Sequence, residues 1–251
     1  YKAGVDIRLL GPLDVVGDDG EALQLTGNRQ RALLAALALR PRVVVPTEQL
    51  VEEIWGTEAP RTAVVSLQNG ISALRKVLGP DVVVTRPPGY LLDVDRDTVD
   101  AFRFERLVTE ARRVPPDARR ALLDQAMALW RGPPLAEFTF AEFAQSEIRR
   151  LEELRLIARE ERITAEIESG RAAGVIAELE ALAAEHPLRE ELRRLQMLAL
   201  YRAGRQAEAL AVFQSARAAL VDELGIEPGP ALRDLHAAIL ASAALPAVFP
   251  I

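Results

Sequence analysis

The chain has 251 residues, 49% of them hydrophobic and 27% charged, with a formal net charge of −6. That length and composition allow one large or two ordinary domains with a full core, and exclude a disordered chain. It holds no Cys, and its only His residues are His186 and His236. Disulfides, thiolate metal sites and cysteine nucleophiles are therefore excluded, and little remains for metal ligation or Ser-His catalysis. No apolar run is long enough to span a membrane, and no charged-then-apolar leader opens the chain. A cytoplasmic protein with no membrane contact and no cofactor is expected.

Val5–Leu10 is apolar and broken by Asp6 and Arg8, and Gly11-Pro12 turns the chain. Leu13–Val16 and Ala22–Leu25 flank Gly17-Asp18-Asp19-Gly20, which predicts an opening antiparallel sheet with a hairpin. Gly27–Leu39 reads as a helix with Leu33, Leu34 and Leu37 on one side, stopped by Pro41. Val43–Val45 is a short β-like run. Thr47 is placed to cap a short helix that ends at Gly56. Pro60 opens a third helix over 61–78, ended by Gly79-Pro80. At ~100° per residue, Val64, Leu67, Ile71, Leu74 and Leu78 form one apolar stripe, opposite Thr62, Val65, Ser66, Asn69, Ser72, Ala73 and Lys76. Val82–Arg86 and Tyr90–Val94 make a hairpin around Pro87-Pro88-Gly89.

After Asp97 only helical patterns occur, near 98–113, 116–130, 141–169, 172–185, 189–203, 205–223 and 230–242, punctuated by Gly and Pro. An internal repeat runs at an offset of 34: Gly170-Arg171-x-Ala173 matches Gly204-Arg205-x-Ala207, and Ala177 matches Ala211. That is the tetratricopeptide period, one helix pair per repeat. The expected fold is thus an α+β winged helix over residues 1–96, with an N-terminal antiparallel sheet, three helices and a C-terminal wing hairpin. An all-α, tetratricopeptide-like domain follows over 97–245. Residues 246–251 read as a tail or a truncated linker.

The charge is uneven. Residues 1–96 hold 11 Lys and Arg against 12 Asp and Glu, whereas the rest holds 20 against 25. The segment 61–90 carries Arg61, Arg75, Lys76 and Arg86 against Asp81 alone. The outward face of helix 61–78 has no acid, and its small polar side chains suit a major groove about 12 Å wide. Thr62, Ser66, Asn69 and Ser72 are placed for base edges with Arg75 flanking them, and Arg61 and Lys76 at the two ends toward phosphates. In the hairpin, Thr85, Arg86 and Tyr90 are the candidates, Arg86 for a minor groove or a phosphate. At the start of the first helix, Asn28, Arg29 and Arg31 offer a phosphate site. An enzyme is not expected: Glu152-Glu153 and Glu190-Glu191 are neighbours along helices, and no Gly-rich phosphate loop is present.

The opening VDIRLLGPLDV, RQRALLAALAL, LVEEIWG, RTAVVSLQNGISALRKVLG and TRPPGYLLDV together resemble the OmpR/PhoB-type winged helix, and specifically the Streptomyces antibiotic regulatory protein (SARP) family. DTVDAFRFERLV, LWRGPPLAEF and VDELGIEPGPALRDLHAAIL resemble that family's bacterial transcriptional activation domain. The resemblance covers residues 5–242. It implies a sequence-specific DNA-binding activator of secondary-metabolite (antibiotic) gene clusters that binds tandem direct repeats of double-stranded DNA. It further implies recruitment of RNA polymerase holoenzyme including its sigma factor, with two protomers side by side on the DNA or as a homodimer, at the nucleoid. On this template 61–78 is the recognition helix and 82–93 the wing. The chain departs from the family pattern at Gly70 and Ala73, where a basic residue or His is common, and at Leu91, where Arg is common. No receiver domain precedes the winged helix in this sequence, so a conventional response regulator is not expected. The alternative is a helical-repeat interaction scaffold whose winged helix is structural.

Overall fold

A computed structural model describes residues 4–56 and 59–241. The expected tail 246–251 and the last residue of the final expected helix lie outside them. Packing divides the chain into two compact units, Tyr1–Thr109 with Gln125–Arg155, and Glu110–Asp124 with Leu156–Ile251. These units group the chain differently from the sequence modules expected at 1–96 and 97–245.

The first unit opens with β1 (Asp6–Arg8) paired antiparallel to β2 (Asp14–Val16), Ile7 opposite Val15. Ile7 and Val15 point into the core while their neighbours on each strand are half-buried, the period-2 pattern of a one-sided sheet. The strand expected at Ala22–Leu25 shrinks to a single bridge between Val16 and Ala22. The turn forms, with Gly20 at φ 81, but Ala22 and Gln24 are exposed and only Leu25 is fully buried. There is no buried alternation to extend the ladder.

Helix α1 (Asn28–Ala38) is buried at every position from Leu33 to Ala38. The two-residue β3 (Val45–Pro46) leads directly into α2 (Thr47–Trp55). Helix α3 (Ala63–Leu78) starts two residues later than expected, after a turn at Arg61 and Thr62. Strands β4 (Val83–Arg86) and β5 (Gly89–Leu92) form the expected hairpin, and β3 pairs with β5, giving the order β3-β5-β4. Leu34, Leu37, Leu50, Leu67, Ile71, Leu74 and Leu92 are fully buried and make the core under α3 and the wing. This is the winged-helix arrangement expected from the sequence.

Three further helices follow: α4 (Asp100–Ala111), α5 (Pro116–Met127) and α6 (Glu142–Glu168). Asp100 is 1% exposed, and its carboxylate accepts the backbone N–H groups of Leu9 (2.6 Å) and Leu10 (3.1 Å). The carbonyls of the same two residues accept from Leu135 (2.8 Å) and Arg131 (2.7 Å). The Leu9–Pro12 turn, which no strand can satisfy, is therefore closed by groups far along the chain. The motif LLGPLDV and the motif LWRGPPLAEF lie against each other within the first unit.

In the second unit, α7 (Ile176–Glu185), α8 (Glu190–Arg202), α9 (Gln206–Leu224) and α10 (Pro230–Leu240) pack around Leu179, Leu192, Leu195, Leu235 and Ile239, all fully buried. The helix expected at 172–185 begins as a 3₁₀ turn over Ala172–Val175 and becomes α-helical only at Ile176. Gly174 lies in that turn, where a residue without a side chain weakly supports an α-helix. The repeat recurs in the hydrogen bonds. Gly170 (φ 80) and Gly204 (φ 77) each end a helix in the left-handed region. Arg171 N–H donates to the Glu166 carbonyl and Arg205 N–H to the Leu200 carbonyl, each at 2.9 Å. Gly170 N–H bonds Ile167 as Gly204 N–H bonds Tyr201. Both ends are Schellman caps, set 34 residues apart in every partner.

Candidate nucleic-acid interface

Helix α3 buries Ala63, Leu67, Ile71, Leu74 and Leu78. Thr62, Val64, Val65, Gln68, Asn69, Ser72 and Lys76 are exposed, and at ~100° per residue they occupy one continuous arc. Val64, expected in the apolar stripe, is 46% exposed. Ala63 takes the first core position instead, one full turn before Leu67, and leaves Val64 at the rim. Ser66, Gly70, Ala73 and Val77 form a half-buried flank. A Cβ on Gly70 would stand 3.2 Å from Leu33 Cδ2 of α1, so this glycine lets two helices approach. The departures from the family pattern thus fall away from the exposed arc: Gly70 and Ala73 on the flank, and Leu91 in the core at 7% exposure.

The wing is stitched to the helices at both ends. Arg75 Nε donates to the Val83 carbonyl and Arg75 Nη2 to Thr85 Oγ1, both at 2.7 Å. Arg75 and Thr85, both candidates for DNA contact, are therefore engaged with each other. Thr47 does not cap α2 through its side chain. Its N–H and its hydroxyl both donate to the Pro88 carbonyl, at 3.2 and 3.1 Å, which ties the wing turn to the start of α2. Gly89 packs so tightly there that a Cβ would lie 1.8 Å from the Val45 carbonyl oxygen. Pro87-Pro88 is a cis peptide. Tyr90 is 9% exposed and sits opposite both Thr85 and Val45 in the ladder.

Three cations frame this surface. Arg61, Lys76 and Arg86 are exposed, and their side chains make no hydrogen bond or ion pair among the described residues. No carboxylate lies on α3. At α1, Asn28 and Arg29 are exposed, with the Arg29 guanidinium 5.5 Å from the centre of the Trp55 ring. Arg31 is occupied elsewhere: it donates to Glu137 and to the Leu13 carbonyl, and the Glu137 hydrogen bond holds its pKa above the usual arginine value. Of the thirteen candidates, then, Thr62, Asn69, Ser72 and Lys76 lie on the exposed arc, and Arg61 just before α3 and Arg86 on the wing are exposed as well. Ser66 is on the flank, Arg75, Thr85 and Tyr90 build the frame, and Asn28, Arg29 and Arg31 lie at a separate helix end.

Gln68 was not anticipated. It lies one turn after Val64 and one turn before Ser72, and a row counted from Val64 would have found it. Ser72 Oγ bonds back to the Gln68 carbonyl at 2.9 Å, leaving the Gln68 amide unengaged. Among the described residues no group of three His, Cys, Asp or Glu could hold a metal ion, and no helix is long and apolar enough to cross a membrane.

Residues 20–92 match the family described as transcriptional regulatory protein, C terminal, and residues 99–240 match the bacterial transcriptional activator domain. The chain is 39% identical to the regulatory protein DnrI of Streptomyces peucetius, over 94% of this chain and 92% of that one. It is 41% identical to the regulatory protein AfsR of Streptomyces coelicolor over 92% of its length, but spans only 24% of AfsR. The structure of Mycobacterium tuberculosis EmbR in complex with a low-affinity phosphopeptide superposes with a TM-score of 0.92 at 35% identity, covering 98% of this chain and 67% of EmbR. These relatives are named as regulators and none as an enzyme. The ordered motifs, the winged helix followed by helical repeats, and matches that run nearly end to end place the chain in the Streptomyces antibiotic regulatory protein family of transcriptional activators.

Proposed function

We propose that this chain activates transcription by binding double-stranded DNA through α3 and the β4–β5 wing. The observation that carries this reading is the exposed arc of α3, free of carboxylates, with the exposed cations Arg61, Lys76 and Arg86, whose side chains have no partner among the described residues. Phosphates of a duplex would neutralise those cations with release of counterions. Thr62, Asn69 and Ser72 would face base edges, with Ser66 on the flank beside them and Arg75, Thr85 and Tyr90 holding the wing in place. The DNA would carry tandem direct repeats near promoters of an antibiotic gene cluster, because head-to-tail protomers match direct repeats as a two-fold dimer matches a palindrome.

In this proposal, residues 1–96 act as the DNA-binding module and 97–245 as the activation module that meets RNA polymerase holoenzyme and its sigma factor, in the cytoplasm at the nucleoid. A footprint on the chain's own genomic neighbourhood, with and without holoenzyme, tests the whole. Protection of repeated sites that extends when polymerase is added is the expected result. Absence of any protection or gel retardation at low salt overturns it and favours an interaction scaffold. That second reading draws on Val221, Leu224, Ile226 and Leu240, large apolar side chains left exposed in the second unit.

A further inference from the structure

We infer that α3 is built to read A·T base pairs through the thymine methyl group and the adenine edge, with Val64, Val65 and Gln68 as its specificity-determining residues. The inference deepens the proposal that α3 is a recognition helix and rests on it. Val64 and Val65 are 46% and 57% exposed, at consecutive positions in the first turn of α3. β-Branched side chains lower helix propensity, and apolar surface left in water gains nothing for the fold. The part of each side chain left in water therefore has no folding reason to be apolar. A valine methyl facing a major groove has one chemical complement on the floor, the C5 methyl of thymine.

Gln68 stands one turn further along the same row as Val64, and Asn69 one turn beyond Val65. Both are exposed with their amides unengaged among the described residues. A Gln or Asn amide matches adenine N6 and N7 in a bidentate pair. The chemistry that reads guanine is missing from this part of the helix. Guanine is read chiefly by Arg or Lys on O6 and N7. Of the cations nearby, Arg75 is held by Val83 and Thr85, Lys76 lies in the last turn of α3, and Arg61 precedes the helix. Recognition helices read bases mainly from their N-terminal residues, and that is where the valines and Gln68 sit.

The test is binding-site selection from random duplexes, followed by replacement of each selected thymine with deoxyuridine, which removes only the C5 methyl. The expected motif holds adjacent A·T pairs. Uracil at the contacted positions weakens wild-type binding roughly fourfold per methyl, and the V64A/V65A variant is indifferent to the same replacement. Gln68→Ala relaxes the preference at one A·T pair. Alanine at these exposed sites favours the helix, so loss of the fold does not confuse the result. Selective binding to a motif with G·C at the contacted positions, or tight binding unchanged by uracil, overturns this inference and leaves the recognition-helix proposal standing. Absence of selective duplex binding by wild type overturns both.

Discussion

The second compact unit and the surface of α3 and the wing use their cations in opposite ways. In the second unit, Arg189 grips Glu160 through two hydrogen bonds (2.9 and 3.1 Å), Arg159 and Arg162 share Glu178, and Arg217 pairs with Glu227. On α3 and the wing, Arg61, Lys76 and Arg86 meet no such partner among the described residues. A chain of net charge −6 can thus still present an attractive face to a polyanion. What matters within a Debye length of the surface is which cations are already neutralised, not the total.

The largest expected contrast comes from two glycines. Gly89→Val forces a side chain into the Val45 carbonyl, 1.8 Å from where its Cβ must sit. A stability loss of roughly 3 kcal/mol in urea denaturation is expected, together with loss of DNA retardation. Gly174, by comparison, has nothing within 4 Å of an added Cβ and no positive φ. Gly174→Ala should raise stability by about 0.4–1 kcal/mol. Equal effects would mean that the wing and the repeats are packed alike.

Asp6 and Asp100 sharpen the comparison inside the first unit. Asp100→Ala strips the N–H groups of Leu9 and Leu10 of their buried acceptor and should cost about 2 kcal/mol. The pH dependence has opposite signs at the two sites. Burial raises the Asp6 pKa, but the hydrogen bonds from Arg8 and Arg103 outweigh it and hold the carboxyl below its usual range. Its contribution is present above the unfolded-chain pKa and is lost as pH falls through the lower folded value. Burial of Asp100 prevails over the Leu9 and Leu10 N–H groups and pushes its pKa up. Its proton-linked contribution is full below the unfolded-chain pKa and declines as pH rises through the folded value. Urea midpoints measured from acid to neutral pH should therefore climb more steeply with pH in Asp100→Asn than in wild type, and less steeply in Asp6→Asn.

Adjacent residues on α3 separate frame from contact. Arg75→Ala should lower stability by about 1 kcal/mol and weaken DNA binding through a loosened wing. Lys76→Ala should leave stability within about 0.5 kcal/mol, weaken binding to all duplexes and reduce the salt slope by about 1. An unchanged slope in Lys76→Ala would remove it from the phosphate contacts. Smallest of all, Arg217→Ala breaks an exposed pair with Glu227 and should leave the melting temperature unchanged.

Much of this was legible because local patterns and tertiary packing agree. The stripe Leu67, Ile71, Leu74 and Leu78 reads the same in sequence and in structure, and the 34-residue repeat reappears down to its cap hydrogen bonds. Other features depended on partners distant in the chain. Periodicity could not tell Ala63 from Val64 as the first core position, because both border the same stripe. Arg31, Arg75 and Thr85 look available in isolation and are taken by Glu137, Val83 and each other. The turn at Leu9–Pro12 gave no sign that it would be closed by Asp100 and by Arg131 and Leu135. Composition falls into two blocks near residue 97, but residues 125–155 pack in the first unit. A motif shows where a chain segment belongs by descent, and the backbone hydrogen bonds it leaves open show where it must pack.

The two hydrogen bonds from Thr47 to the Pro88 carbonyl, with Arg75 gripping the other side of the hairpin, make the wing one jaw of a caliper whose other jaw is α3. The opening of a caliper is set by the instrument. In a protein that grips a duplex as proposed, Arg86 and the α3 arc are held apart by a span that folding fixes, and the nucleic acid must conform to it. Stretches whose groove widths already fit that span would be gripped with little bending, and stiffer or wider ones would resist. Selection would then extend to bases that no side chain touches, through the stiffness of the double helix between the jaws.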